Sequence, residues 1–506
     1  MKVKQITSNL FCLFISTFLI CQLFSCNTDQ EEDGRVLTAG AYDLNADSDG
    51  TFGGTANEEE GYNEIIENPW LEVSEASTST FSIDADGGSY ANVRRFLDND
   101  QLPMVDAIRT EELINYFQYE YAEPEDGAPI SLEGEIADCP WDNKHKLLHI
   151  GLKGKHVERE ALAAANFVLL LDVSGSMSSS NKLPLLIESF NLFADNMRDD
   201  DRIAIVTYTG NAGVVLESTP GSRRDEIKAA ISRLESGGST NGEGGIIKAY
   251  EIALDNFIEG GNNRVILGTD GDFNVGVSDQ DELIALIEEK RESGVFLSVL
   301  GVGTGNYQDG KMEQLANNGN GTYEYIDDID QARKVFVDEM GKFYAVAKDV
   351  KIQVEFNPAN ILKYRLIGYE NRLLNNEDFE DDTKDAGEIG VNQAVTALYE
   401  LEMRSVASFT TPSITIDFRY KQPDGQNSNL LDLEVFDDYS SFENASENLR
   451  FAAAVASYGL QLRDSEYKGD ADWDDILKWA SEARTFDPNN YRGEFLELVA
   501  KAKELQ

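Results

Sequence analysis

Asp172, Ser174 and Ser176 alternate along one short turn, and three oxygen-bearing side chains at that spacing can converge on a single point. Hydroxyl and carboxylate oxygens are hard donors that suit Mg2+, Ca2+ or Mn2+ better than zinc. Two of the three groups are neutral, so a divalent ion held there stays under-neutralised and open to an outside anion. Ser and Asp are also favoured at helix caps. The turn alone leaves both readings open.

The residues around the turn say how it is held. Phe167-Val168-Leu169-Leu170-Leu171 has strand length and no helical stripe, so it reads as a buried strand. Beyond the turn, Leu183, Leu186, Ile187, Phe190, Phe193, Ala194 and Met197 recur at three-and-four spacing. That spacing predicts an amphipathic helix, with Pro184 tolerated in its first turn. A turn at the carboxyl end of a strand, opening a helix, is where open α/β sheets bind ligands. Two later stretches extend the pattern. Ser236-Gly237-Gly238-Ser239-Thr240-Asn241-Gly242 is a glycine-rich loop before a helical segment from Glu243 to Phe257. Arg264-Val265-Ile266-Leu267-Gly268-Thr269-Asp270-Gly271-Asp272 is a second apolar strand ending in an acidic turn.

In this order, D-x-S-x-S, a Thr after a glycine pair and a T-D-G strand end, the three stretches resemble the von Willebrand factor A domain and its metal-ion-dependent adhesion site. The resemblance implies a doubly wound, Rossmann-like α/β fold over residues 161–343. It implies that Ser174, Ser176 and Thr240 ligate a metal through their hydroxyls, with Asp172 and Asp270 holding it directly or through water. Mg2+ is the expected cofactor, with Ca2+ or Mn2+ as alternatives, and the open position would take an Asp or Glu carboxylate from a protein partner. Outside this region, Phe81 to Asp84, Ser89 to Leu97, Arg109 to Phe117, Phe451 to Ala456 and Arg492 to Val499 resemble the flanking domains of YfbK-like bacterial proteins, extending the likeness over roughly 76–504.

The 506 residues suffice for two or three domains with real cores. Lys2 and Lys4, then an apolar stretch from Leu10 to Phe24, read as a signal peptide over residues 1–25. Leu23-Phe24-Ser25-Cys26 resembles the bacterial lipobox, which implies lipid on Cys26 and attachment to the cell envelope, at the outer membrane on its periplasmic or outer face. Cys12 and Cys21 would leave with the signal, so Cys139 remains without a partner and is expected as a small packed hydrophobe. Formal charge is −49; removing residues 1–25 discards two lysines and no acid, giving −51. Such a field repels nucleic acid and anionic lipid heads. Residues 26–75, acidic and poor in apolar positions, read as the lipidated Cys and a disordered tether reaching on the order of 40 Å.

Residues 76–160 read as a small α+β domain, with helices Ser89 to Leu97 and Ile108 to Phe117 and strands Leu132 to Ile136 and Lys146 to Leu152. His145, His149 and His156 cluster here without a zinc pattern and are expected at the surface. Residues 344–506 alternate apolar and polar positions, then turn helical, as expected for an antiparallel β-sandwich followed by helices. Gly305-Asn306-Tyr307-Gln308-Asp309-Gly310-Lys311-Met312 imitates a phosphate loop, but Met312 stands where magnesium would need Ser or Thr. No nucleotide is expected.

The reading that follows is a membrane-anchored module that binds a partner carboxylate through a divalent metal. An envelope scaffold with an unused metal site is the alternative. A metal-dependent hydrolase is less favoured, because the chain has no nucleophile elbow, no zinc motif and only 3 histidines, all outside the A domain. The chain is therefore expected not to be an enzyme.

Overall fold

Alternate residues of the Phe167–Leu171 run enter two different cores. In the computed structural model, Phe167, Leu169 and Leu171 pack on one face of a sheet while Val168 and Leu170 pack on the other. A strand buried on both faces needs continuous apolar character, which this run has. The structure describes residues 60–506 except 85, 211, 239–241, 273–279, 385, 406–409 and 424.

The chain begins with β1 (Leu71–Glu72), β2 (Thr78–Ser82), helices α1 (Gly88–Asp98) and α2 (Thr110–Asn115), and the antiparallel pair β3 (Ile130–Asp138) and β4 (His145–Gly154). It then enters the A domain. Strands β5 (Ala165–Asp172), β6 (Arg202–Tyr208), β7 (Ala212–Pro220), β8 (Asn262–Thr269), β9 (Phe296–Val302) and β10 (Tyr323–Ile326) form one sheet in the order β10-β9-β8-β5-β6-β7. All neighbours are parallel except β7, the expected hairpin strand, which runs antiparallel to β6. Helices α3 (Leu183–Asp195), α4 (Arg224–Ile231), α5 (Gly242–Asp255), α6 (Gln280–Arg291), α7 (Asp309–Asn318) and α8 (Ile329–Arg333) complete the doubly wound unit. From β5 the chain winds first toward β7, then returns across β5 to β8. The carboxyl ends of β5 and β8 thus border the crevice where winding reverses.

After the A domain come β11 (Ala345–Phe356), β12 (Ile361–Ile367), β13 (Leu373–Leu374), β14 (Gly387–Gly390), β15 (Ala394–Met403), β16 (Ile414–Lys421) and β17 (Ser428–Val435). These do not close on themselves. One sheet runs β1-β12-β15-β4-β3 and the other β13-β2-β11-β16-β17, so both sheets draw strands from before and after the A domain. The A-domain sheet takes strands β5 to β10 only, and the flanks before and after it, expected as two separate domains, share their sheets. Helices α9 (Glu447–Leu462), α10 (Trp473–Glu482) and α11 (Tyr491–Leu505) pack with α1 and α2 in a further core, again mixing both ends. Among the described residues no helix is long and apolar enough to cross a membrane.

Two expectations are corrected here. Residues 60–75, read as tether, are packed. Glu60 is 8% exposed and pairs with Arg95 at 2.9 Å, Asn68 Nδ2 donates to the Leu366 and Gly368 carbonyls, and Leu71 and Glu72 pair with β12. A polar, acidic segment is held by ion pairs and backbone hydrogen bonds, which hydropathy does not reveal. The remainder of the tether, the signal segment and Cys26 lie outside the described residues.

His149 is not at the surface. It is 1% exposed on β4, its Nε2 is 2.9 Å from the Tyr121 hydroxyl, and burial lowers its pKa to about 3. Its ring lies against Tyr121, while β15, some 250 residues away in sequence, pairs alongside β4 in the same sheet. His145, on the same face, is half-buried with Nδ1 2.6 Å from Glu400 Oε1, and His156 is exposed. Cys139 is buried and free, as expected.

Candidate functional site

Asp172 ends β5 and the Asp270 turn follows β8. Because the two strands are hydrogen-bonded in register, Leu171 opposite Gly268, the two carboxylates arrive side by side. Both are 0% exposed. Asp172 Oδ1 accepts the Ser174 N–H at 2.8 Å, and Oδ2 stands 3.5 Å from Thr269 Oγ1. The Ser174 and Ser176 hydroxyls lie 3.0 Å apart, Ser174 buried and Ser176 exposed. Ser174 stands at the start of a short 3-10 turn, Gly175–Ser178, but its hydroxyl makes no capping hydrogen bond; α3 starts later, at Leu183.

The glycine-rich loop is tied to this turn. The Gly237 N–H donates to the Val173 carbonyl at 2.7 Å, and the Gly175 N–H donates to the Gly238 carbonyl at 3.1 Å. Gly238 takes φ +90°, a conformation that side chains with a Cβ rarely adopt. Thr240 lies outside the described residues. Gly271, φ +84°, turns the chain after Asp270, and its N–H donates to Thr269 Oγ1 at 3.0 Å. A Cβ there would stand 2.9 Å from the Gln308 side chain.

Lys182 and Asn306 complete the site and were not singled out from the sequence. Lys182 Nζ donates to Asp270 Oδ2 at 2.9 Å and to Asn306 Oδ1 at 2.6 Å, and it is 5% exposed. Asn306 Nδ2 donates to Asp270 Oδ2 at 3.1 Å, and the Asp272 N–H donates to Oδ1 at 3.1 Å. The only sequence signal was a lysine heading an otherwise apolar helix start. Burial pushes Asp172 up to about 6, with the Asp270 charge adding to the rise and the Ser174 hydrogen bonds opposing it. The site is thus a buried pair of carboxylates with two hydroxyls at its mouth and one ammonium at its side, a set of hard oxygen donors with a partial internal counter-charge.

The stretch resembling a phosphate loop is occupied by the chain itself. The Gly305 N–H donates to Glu60 Oε1 at 3.0 Å and the Gly310 N–H to the Gly61 carbonyl at 3.4 Å. From Asp309 the stretch is itself the start of α7, where Met312 is buried.

Comparison with known proteins agrees with this architecture. Family models match in three places: "von Willebrand factor" over residues 56–149, "von Willebrand factor type A domain" over 166–337, and "Uncharacterized protein YfbK, C-terminal" over 341–505. The Escherichia coli (strain K12) protein named "Uncharacterized protein YfbK" is 41% identical over 466 residues, covering 87% of this chain and 80% of that protein. Among solved structures, a von Willebrand factor type A protein from Catenulispora acidiphila is 16% identical, covering 75% of this chain and 97% of its own, with a TM-score of 0.42. A conserved hypothetical protein BatB from Bacteroides thetaiotaomicron is 20% identical, covering 36% and 98%, with a TM-score of 0.31. By its identity and coverage against the Escherichia coli relative, the chain belongs to the YfbK family of von Willebrand factor A domain proteins.

Proposed function

We propose that this protein is a non-catalytic, membrane-anchored binding module that captures a protein partner's Asp or Glu carboxylate through a divalent cation. The observation that carries the reading is the meeting of Asp172, Ser174, Ser176 and Asp270 at the carboxyl ends of adjacent parallel strands, in the crevice where winding reverses. Their oxygens fit Mg2+, with Ca2+ or Mn2+ possible, and Thr240 would join from the glycine-rich loop. Bound there, the metal supplies a Lewis-acidic position for an outside carboxylate. The chain's own part is to orient two hydroxyls, keep Asp172 dry and balance Asp270 with Lys182. The three histidines sit on or after β4, away from this crevice, so the site offers no imidazole for general-base work. The lipid on Cys26 would place the module at the cell envelope, at the outer membrane.

Titrating Mg2+ into the full chain, purified in detergent, tests this. Binding heat in the parent and none in a folded Asp172→Ala variant is expected; equal heat in both would refute it. One observation favours a second reading, an envelope scaffold whose site needs no metal: Lys182 already places an ammonium 2.9 Å from Asp270. Absence of any Mg2+ heat or thermal shift in the parent would favour that scaffold.

A further inference from the structure

Among the described residues the three sheets end in six edges, and five of these are short, covered or broken. β1 and β13 have two residues each. β10 has four, and the turn ahead of α1 is tied to it, the Tyr323 N–H donating to Asp86 Oδ1 at 2.9 Å. β7 shifts register twice against β6 and ends at Pro220. β3 is crossed by the chain leaving β17: the Asp138 N–H donates to the Ser440 carbonyl at 3.0 Å, and Glu135 Oε1 accepts the Ser446 N–H at 2.9 Å. Such devices keep an edge from taking up a strand of another chain.

β17 has none of them. It runs for eight residues without proline or lysine, in unbroken register with β16 from Ser428 opposite Lys421 to Val435 opposite Ile414. Its Ser428 hydroxyl donates to Asp382, at the start of the strand. From Asn429 to Glu434, among the described residues, its backbone bonds to β16 alone, so alternate N–H and C=O groups face outward along the edge. The strand adds a row of side chains to that open ladder. Leu431, Leu433 and Val435 turn into the core, while Leu430, Asp432 and Glu434 are exposed, as is Phe436 just past the strand.

The charges say what the edge would accept. Asp432 stands directly opposite Asp417 of β16, a like-charge pair that costs stability. The cations of β16, Arg419 and Lys421, pair instead with Asp382 and Asp349. Burial, with the charges of Asp432 and Glu355, raises the Asp417 carboxyl above its usual range. The acidic stretch 27–59, whose one base is Arg35, has the wrong charge to lie beside this row. A second copy would bring its own Asp432 and Glu434 to the seam.

We propose that the free edge of β17 takes an extended segment of a basic partner protein as an added strand. Main-chain hydrogen bonds would supply the pairing and alternate side chains the choice of partner. On the exposed face the segment carries Lys or Arg opposite Asp432 and Glu434, flanked by apolar residues opposite Leu430 and Phe436. The edge belongs to the flanking sandwich, so this contact is independent of the Asp172 site.

The test uses the full chain in detergent with EDTA and about 0.15 M KCl, which screens distant charges and keeps the Asp172 site free of metal. The probe is the fluorescein-labelled peptide Leu-Thr-Lys-Val-Lys-Thr-Leu, which reads the same in both directions and so serves either strand orientation. The parent should bind it, and exchange of backbone amides between 429 and 435 should slow. Asp432→Lys with Glu434→Lys should weaken binding by about tenfold or more, and should strengthen by a similar factor a peptide with Glu in place of Lys. A copy methylated on its backbone nitrogens keeps the charges, loses the hydrogen bonds and should not bind. Absence of binding to the parent, equal binding of the methylated copy, or slowed exchange only outside β17 would overturn the proposal. So would unchanged affinity in the folded double variant. Should that variant not fold, the methylated copy and the exchange pattern decide. A peptide-free dimer that protects the same amides would overturn it in favour of a second copy.

Discussion

Lys182 Nζ lies 2.9 Å from Asp270 Oδ2, so one of the two buried carboxylates at the candidate site already has a positive partner. The ammonium comes from the start of α3 and the carboxylate from the turn after β8. This pair makes the site less negative than its acids alone suggest. It is expected to lower the affinity for a divalent cation while protecting the metal-free protein from an unpaired buried charge.

Lys182→Met should therefore separate stability from affinity. Breaking a buried pair by removing one partner costs about 3–5 kcal/mol, and the metal-free variant should melt correspondingly lower. Mg2+ should restore more of the Tm in the variant than it adds to the parent, because it replaces the missing charge. Thermal melts with Mg2+ and with EDTA check both; an equal Mg2+ response in the two proteins would contradict the role given to Lys182.

Gly271→Ala should damage the site through the backbone. The φ of +84° and the 2.9 Å approach to Gln308 leave no strain-free place for a methyl group. A loss of about 1–3 kcal/mol is expected, along with weaker metal binding as Asp270 shifts. Chemical denaturation and Mg2+ titration of the same sample measure the two effects.

Acid should unfold the protein partly through His149. Its pKa is lowered by burial from an ordinary 6.5 to about 3. The unfolded chain therefore binds a proton that the folded chain refuses. The stabilisation is complete above pH 6.5 and is lost as pH falls toward 3, by an amount on the order of 4–5 kcal/mol. His149→Gln should flatten this part of the stability–pH curve, measured by urea unfolding at successive pH values. An unchanged slope would mean that the ring is not held neutral.

The segment after residue 59 should behave as part of the fold. A chain beginning at residue 60 is the reference for the comparison. One beginning at residue 76 loses the Glu60 partner of buried Arg95, the Asn68 hydrogen bonds and β1. A loss of at least about 3 kcal/mol is expected from the unpaired guanidinium alone, read as a lower urea midpoint.

What the sequence by itself determined is local. The Phe167–Leu171 run, the amphipathic spacing from Leu183, the D-x-S-x-S turn and the T-D-G strand end each carry their meaning within about ten residues. Strand period, helix period and turn chemistry act at that range. From them came the α/β class, the switch-point location and the placement of Asp172, Ser174, Ser176 and Asp270 at the ends of β5 and β8.

The tertiary structure alone decided which distant segments meet. Strand pairing across hundreds of residues merged the two flanks into shared sheets, and packing buried His149 against Tyr121 and folded residues 60–75 onto Arg95 and β12. It also brought Lys182 and Asn306 to Asp270, and Glu313 to Asp84 and Glu112. Charges paired in this way leave no periodic trace along the chain. Their partners are set by the packing of apolar faces elsewhere, and the polar groups are carried into contact by elements whose positions those faces have already settled.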